Sequence, residues 1–149
     1  MTGPRQADTV RRALEVRVDG VQPFQTVQAT WNLLEPSAGD ALAEASAEGW
    51  GVIVKEVLAN GRLTDRYGGR GPSHLRTYAA AVGASVESVA IAAALSQPWA
   101  DIVLSGAVTA DHLQAHSAAL DVDVDTDHFA SIAQPAPEYW RRRQFLRWT

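Results

Sequence analysis

The sequence predicts an α/β fold, a partial (β/α) barrel of three to four parallel strands with helices outside. Three observations lead there. Short β-branched runs alternate with segments of helical length, an order that favours parallel pairing with crossover helices laid over the sheet. The chain's 149 residues fall short of the roughly 250 that a closed eight-stranded barrel needs. No shift of composition divides the chain, so residues 1–149 read as a single domain. A three-stranded sheet has open edges, which proteins cover or pair. Completion by self-association is therefore expected.

Asp8 to Val18 reads as a helix with Val10, Ala13, Leu14 and Val18 along one face. The β-branched and aromatic run from Phe24 to Trp31 follows Pro23 and reads as a strand. Ser37, with Asp40 three residues on, is placed to cap a helix ending near Gly49. Trp50 to Lys55 is a compact apolar strand, too short for a helix. Leu63 to Pro72, charged and glycine-rich, reads as a loop. Ser73 opens a helix that Gly83 stops, and Ser85 caps an alanine-rich helix to about Leu95, ahead of Pro98. Asp101 to Leu104 is a third strand, and Thr109 caps a helix through Leu120. An acidic stretch to Asp127, a short helix and an arginine-rich tail finish the chain.

Composition narrows the function. Hydrophobic residues make up 46% and charged residues 20%, the balance of a globular protein. A net charge of −4 argues against nucleic acid as a partner, because neutralising phosphates takes a basic face. With no cysteine, disulfides, thiolate chemistry and iron–sulfur clusters are excluded. No run of residues reaches the length of a membrane span and no signal-peptide pattern opens the chain, so a cytoplasmic protein without membrane contact is expected. Abundant alanine and a single lysine, Lys55, fit a bacterial coding background.

Three stretches, in order and spacing, resemble the aldo/keto reductase family. Thr26 to Glu35 is similar to that family's sixth barrel strand and the loop after it. Gly51 to Thr64 resembles the seventh strand with its phosphate-facing loop. Ile102 to Thr109, with the helix to Leu120, resembles the eighth strand and its cofactor-binding helix. Glu138 to Thr149 looks like the terminus of one bacterial branch. The resemblance implies that the redox tetrad of aspartate, tyrosine, lysine and histidine belongs to segments without counterparts here. Lys55 and Tyr67 have the right side chains in the wrong segments.

What the resemblance carries over is the cofactor side. Gln28 matches a glutamine that contacts the nicotinamide amide, and Gln28, Trp31 and Asn32 are the implied substrate-side residues. Lys55 stands where many relatives have a ring-stacking tyrosine, and Glu56 where many have a phosphate-contacting serine. An anion at that place repels a pyrophosphate. Ser105 and Gly106 fall in the cofactor loop, and His112 and His116 take the places of an arginine and an asparagine that hold the adenosine end. Imidazoles grip a phosphate less well than a guanidinium fork. No bound cofactor is therefore expected, with NADP the alternative that the family implies.

Other constellations are weaker. His112 and His116 share a helix face at metal-binding spacing but lack a third ligand, so no metal is assigned. Asp121, Asp123, Asp125 and Asp127 imitate a calcium loop but fail at Thr126, where glycine is needed, and at Ile132, where a glutamate belongs. Arg66, Arg70 and the glycines Gly68, Gly69 and Gly71 form a basic loop that reads first as mobile surface and second as an anion site. The tail, with Arg141, Arg142 and Arg143 beside Trp140 and Trp148, reads as folded onto the body. Lys55 and Glu56, at a strand's carboxyl end, are the candidate catalytic residues, with a plain ion pair between them as the bland alternative.

The expected protein is thus a truncated aldo/keto-reductase-like chain without the tetrad. It is read as a repurposed non-redox enzyme, of cyclisation or dehydration type, or as a small-molecule-binding protein of bacterial secondary metabolism. The alternative is an NADP-dependent oxidoreductase half acting with a separate catalytic subunit. Its partners are a second copy or that complementary subunit, and a small-molecule ligand.

Overall fold

In the computed structural model, which describes residues 1–67 and 71–146, six helices and three strands alternate. They are α1 (Gln6–Glu15), β1 (Thr26–Thr30), α2 (Gly39–Ala47), β2 (Gly51–Lys55), α3 (Ser73–Ala81), α4 (Val86–Leu95), β3 (Ile102–Val103), α5 (Ala110–Ser117) and α6 (Ala136–Gln144). The strands form one parallel sheet in the order β1-β2-β3. Asp101 and Leu104 extend the β3 pairing by donating their N–H groups to the carbonyls of Val52 and Val54.

Strand alternation decides which face is covered. Val27, Ala29, Val52 and Val54 are buried on the face where α2 packs on β2 and α4 on β3. Gln28, Ile53 and Ile102 stand side by side in register on the other face. There Gln28 is exposed and Ile102 is 51% exposed. Helices thus cover one side of the sheet, and the side that faces a barrel's interior lies open. α4 is the central helix: eight of its ten residues are buried, so it shows no polar stripe. Among the described residues no single helix is long and apolar enough to cross a membrane.

The outer edge of β1 is closed within the chain. Gln6, 1% exposed, accepts the N–H of Thr30 through Oε1 (3.1 Å) and donates Nε2 to the Thr30 carbonyl (2.7 Å). A carboxamide carries one acceptor and a donor side by side, so it serves both groups that a neighbouring strand would serve. The carbonyl of Gln28 accepts from the Met1 amino group.

Several expected caps and boundaries hold. Ser85 Oγ accepts the N–H of Ser88 (3.0 Å), and Thr109 Oγ1 that of His112 (3.1 Å). Ser37 does not cap α2: Ala38 precedes the helix without a side-chain bond, and the Ser37 hydroxyl goes to the buried Glu35 carboxylate. α1 spans Gln6–Glu15 rather than running to Val18. The backbone turns extended at Val16, and Val18 bridges Val21 across a turn in which Asp19 and Gly20 both adopt positive φ. The tail folds onto the body through Tyr139 and Trp140, 0% and 4% exposed, whereas Trp148, like Gly68, Gly69 and Arg70, lies outside the described residues.

Candidate functional site

A cleft of about 550 Å³ opens beyond the carboxyl ends of β2 and β3, where α/β sheets place their ligands. One wall comes from residues 56–67, the other from residues 104–108 and α5. The first wall is built from an unusual backbone. Glu56, Ala59, Asn60 and Gly61 all adopt positive φ (56°, 49°, 54° and 81°), which costs an L-residue about 1–2 kcal/mol each. The turn is held by Ala59 donating its N–H to the Glu56 carbonyl (2.8 Å), and by Asn32 Nδ2 donating to the same oxygen (3.0 Å). Strain of this kind concentrates where a backbone is shaped for binding.

Chemistry gathers on the second wall. α5 carries His112 and His116 one turn apart with rings stacked at 6.2 Å. Arg66, from the opposite wall, contacts His112 Nε2. His116 Nδ1 is buried without a hydrogen-bond partner. Burial holds the His116 imidazole below its usual 6.5, with the neighbouring His112 and Arg66 adding to the effect and Glu87 opposing it. Val57, Leu58, Leu104 and Val108 add apolar surface to the two walls. Apolar surface with a few convergent polar groups is the common form of a small-molecule site.

The candidate residues separate into groups. Ser105, Gly106, His112, His116 and Glu56 line the cleft; Gln28, Trp31, Asn32 and Lys55 do not. Lys55 Nζ donates to Thr2 Oγ1 (2.6 Å), so the pair between Lys55 and Glu56 is not formed. Glu56 is engaged by Arg143, whose Nη2 and Nε lie 2.7 and 3.2 Å from its two oxygens. The carboxylate read as repelling a pyrophosphate is thus neutralised by a guanidinium from α6. Asn32 is fully buried, donating to the Tyr139 hydroxyl (3.0 Å) and accepting the N–H groups of Leu34 and Glu35. It organises the turn after β1. Trp31 packs edge-on against Trp99 at 5.8 Å, beside a second, smaller cleft of about 300 Å³.

Sequence reasoning did not place Arg66 and Tyr67 in the cleft wall, nor Arg62 beneath it. Arg62 is 2% exposed with its guanidinium 4.2 Å from the Tyr139 ring centre. Several arginines close together in one loop give no sign of which one turns inward. Among the described residues no three His, Asp or Glu side chains converge as a metal site.

Of the groups that would hold the dinucleotide the family implies, Arg66, His112 and His116 line the cleft and are of a kind that can pair with a phosphate. The residues matched to the nicotinamide end do not join them: Gln28 stands on the open sheet face and Lys55 is held by Thr2.

Fold and site together define an α/β protein with a cleft beyond the carboxyl ends of two parallel strands. The model of the Aldo/keto reductase family matches residues 5–136, and the chain belongs to that family. No curated protein matches it.

Proposed function

We propose that this chain is a non-redox member of its family that binds a small acidic molecule in the cleft, as a repurposed enzyme or binding protein of bacterial secondary metabolism. The observation that carries the reading is the convergence of Arg66, His112 and His116, with a buried, unpartnered imidazole nitrogen on His116. Arg66, a permanent cation, and the two imidazoles on the facing wall are the groups there that an acidic ligand would pair with. Were the protein an enzyme, the two imidazoles are the groups able to move a proton near neutral pH, as a cyclisation or dehydration requires. Lack of the tetrad, implied by family resemblance, argues against carbonyl reduction by this chain alone.

A second reading, that of an NADP-dependent half acting with a separate catalytic chain, draws support from the open sheet face. Gln28 and Ile102 there are exposed, and a complementary subunit or a second copy would cover them. Calorimetric titration at pH 6 with adenosine 2′,5′-bisphosphate and with NADPH, alongside NADPH oxidation assays with carbonyl substrates, separates the readings. Bisphosphate binding that Arg66→Gln weakens, with NADPH bound no more tightly than the bisphosphate and not oxidised, supports the first, whereas NADPH bound much more tightly supports the second. Turnover by the chain alone removes the first, and absence of binding removes the acidic-ligand assignment.

A further inference from the structure

A cleft for an acidic ligand has, on its own wall, the carboxylate of Glu56. Unpaired, a unit charge on the wall of a binding site changes the affinity for an anion by roughly tenfold, or 1.4 kcal/mol. Glu56 is instead held by Arg143 in a two-pronged pair, 2.7 and 3.2 Å, with only 12% and 14% of the two side chains exposed. That fork is the strong geometry for a carboxylate. The pair is fixed from both sides. Glu56 has its φ at +56° and its carbonyl bound by Asn32. Tyr139, four residues before Arg143 on the same face of α6, is bound by that same Asn32. Just beyond α6, Leu146 lines the cleft. The helix and the cleft wall are thus one assembly.

The geometry points to Arg143 as a specificity-determining residue, resting on the reading of the cleft as an acidic-ligand site. It acts through Glu56 rather than by touching the ligand. With the pair closed, the wall is electrically cancelled and an anion is admitted. Without Arg143, Glu56 is a fixed negative charge that rejects ligands in proportion to their own charge.

Calorimetry on the full chain tests this with adenosine 2′,5′-bisphosphate and the less charged adenosine 2′-monophosphate. Wild type, Arg143→Gln, Glu56→Gln and the double variant are compared, each checked by thermal melting. Arg143→Gln is expected to weaken the bisphosphate roughly tenfold and the monophosphate less. Glu56→Gln is expected to tighten the bisphosphate severalfold, and the double variant to return to within about threefold of wild type. If the double variant stays as weak as Arg143→Gln, or both ligands weaken alike, Arg143 serves only to dock α6 and the inference falls. Equal binding by all four variants overturns it too. If neither wild type nor Glu56→Gln binds either nucleotide, the acidic-ligand reading itself fails, and this inference with it.

Discussion

Replacing Gln6 with alanine removes a side chain that does the work of a missing strand. Gln6 is 1% exposed and Thr30 is fully buried, so the two backbone groups of Thr30 that face away from β2 have no solvent to turn to. Each buried polar group left without a partner costs about 1–3 kcal/mol. The pair therefore costs about 2–6 kcal/mol, against a total stability of roughly 5–15 kcal/mol for a domain. In a chain of this length the melting temperature should fall by about 4–24 °C. Urea unfolding measures the loss directly, and sedimentation velocity reports whether the bared edge recruits a second strand. Gln6→Glu sharpens the test. Its carboxylate still accepts from Thr30 N–H but faces the Thr30 carbonyl and the Glu35 oxygen, now 3.4 Å from Gln6 Nε2. That variant should be less stable than Gln6→Ala at pH 8 and regain stability in acid as the carboxyls protonate. A Gln6→Ala chain within about 0.5 kcal/mol of wild type, with unchanged sedimentation, would refute the account of edge closure.

Three further outcomes follow from the same geometry. Ser85→Ala removes the cap of the buried helix α4 and should cost about 1 kcal/mol in urea unfolding. Arg66→Gln should weaken binding of adenosine 2′,5′-bisphosphate several-fold, whereas Lys55→Ala, whose ammonium is bound to Thr2, should leave it unchanged in the same calorimetric titration. The lowered pKa of His116 sets a sign for acid. As the pH falls below about 6.5 the unfolded chain takes up this proton first, so stability is lost down to the folded value and then levels. An anionic ligand favours the protonated ring and should bind more tightly across that window, read by melting curves with and without the nucleotide.

Local patterns in the chain carried much of this fold. The β-branched runs around Val27 and Val52 and the serine and threonine ahead of α4 and α5 act through neighbours within a few residues. Their spacing therefore reports the element directly. Parallel order and a strand-end site also follow from the alternation of helices and strands, and the family resemblance runs through the same segments. Ser37 failed as a cap for a reason that spacing does not carry: a buried carboxylate two residues away competed for its hydroxyl.

Tertiary structure alone decided the charge and the closure of the site. Arg143 lies 87 residues from Glu56, Gln6 lies 24 from Thr30, and Arg66 lies 46 from His112. Each pair is made by side chains whose composition looks like ordinary surface. A long polar side chain reads the same in a sequence whether it ends in water or on a buried partner, because only the packing of distant elements removes the water that would otherwise satisfy it. The chain's alternating apolar runs determined that there would be a strand-end cleft. The fold of α6 and the amino-terminal segment onto the sheet determined what that cleft can hold.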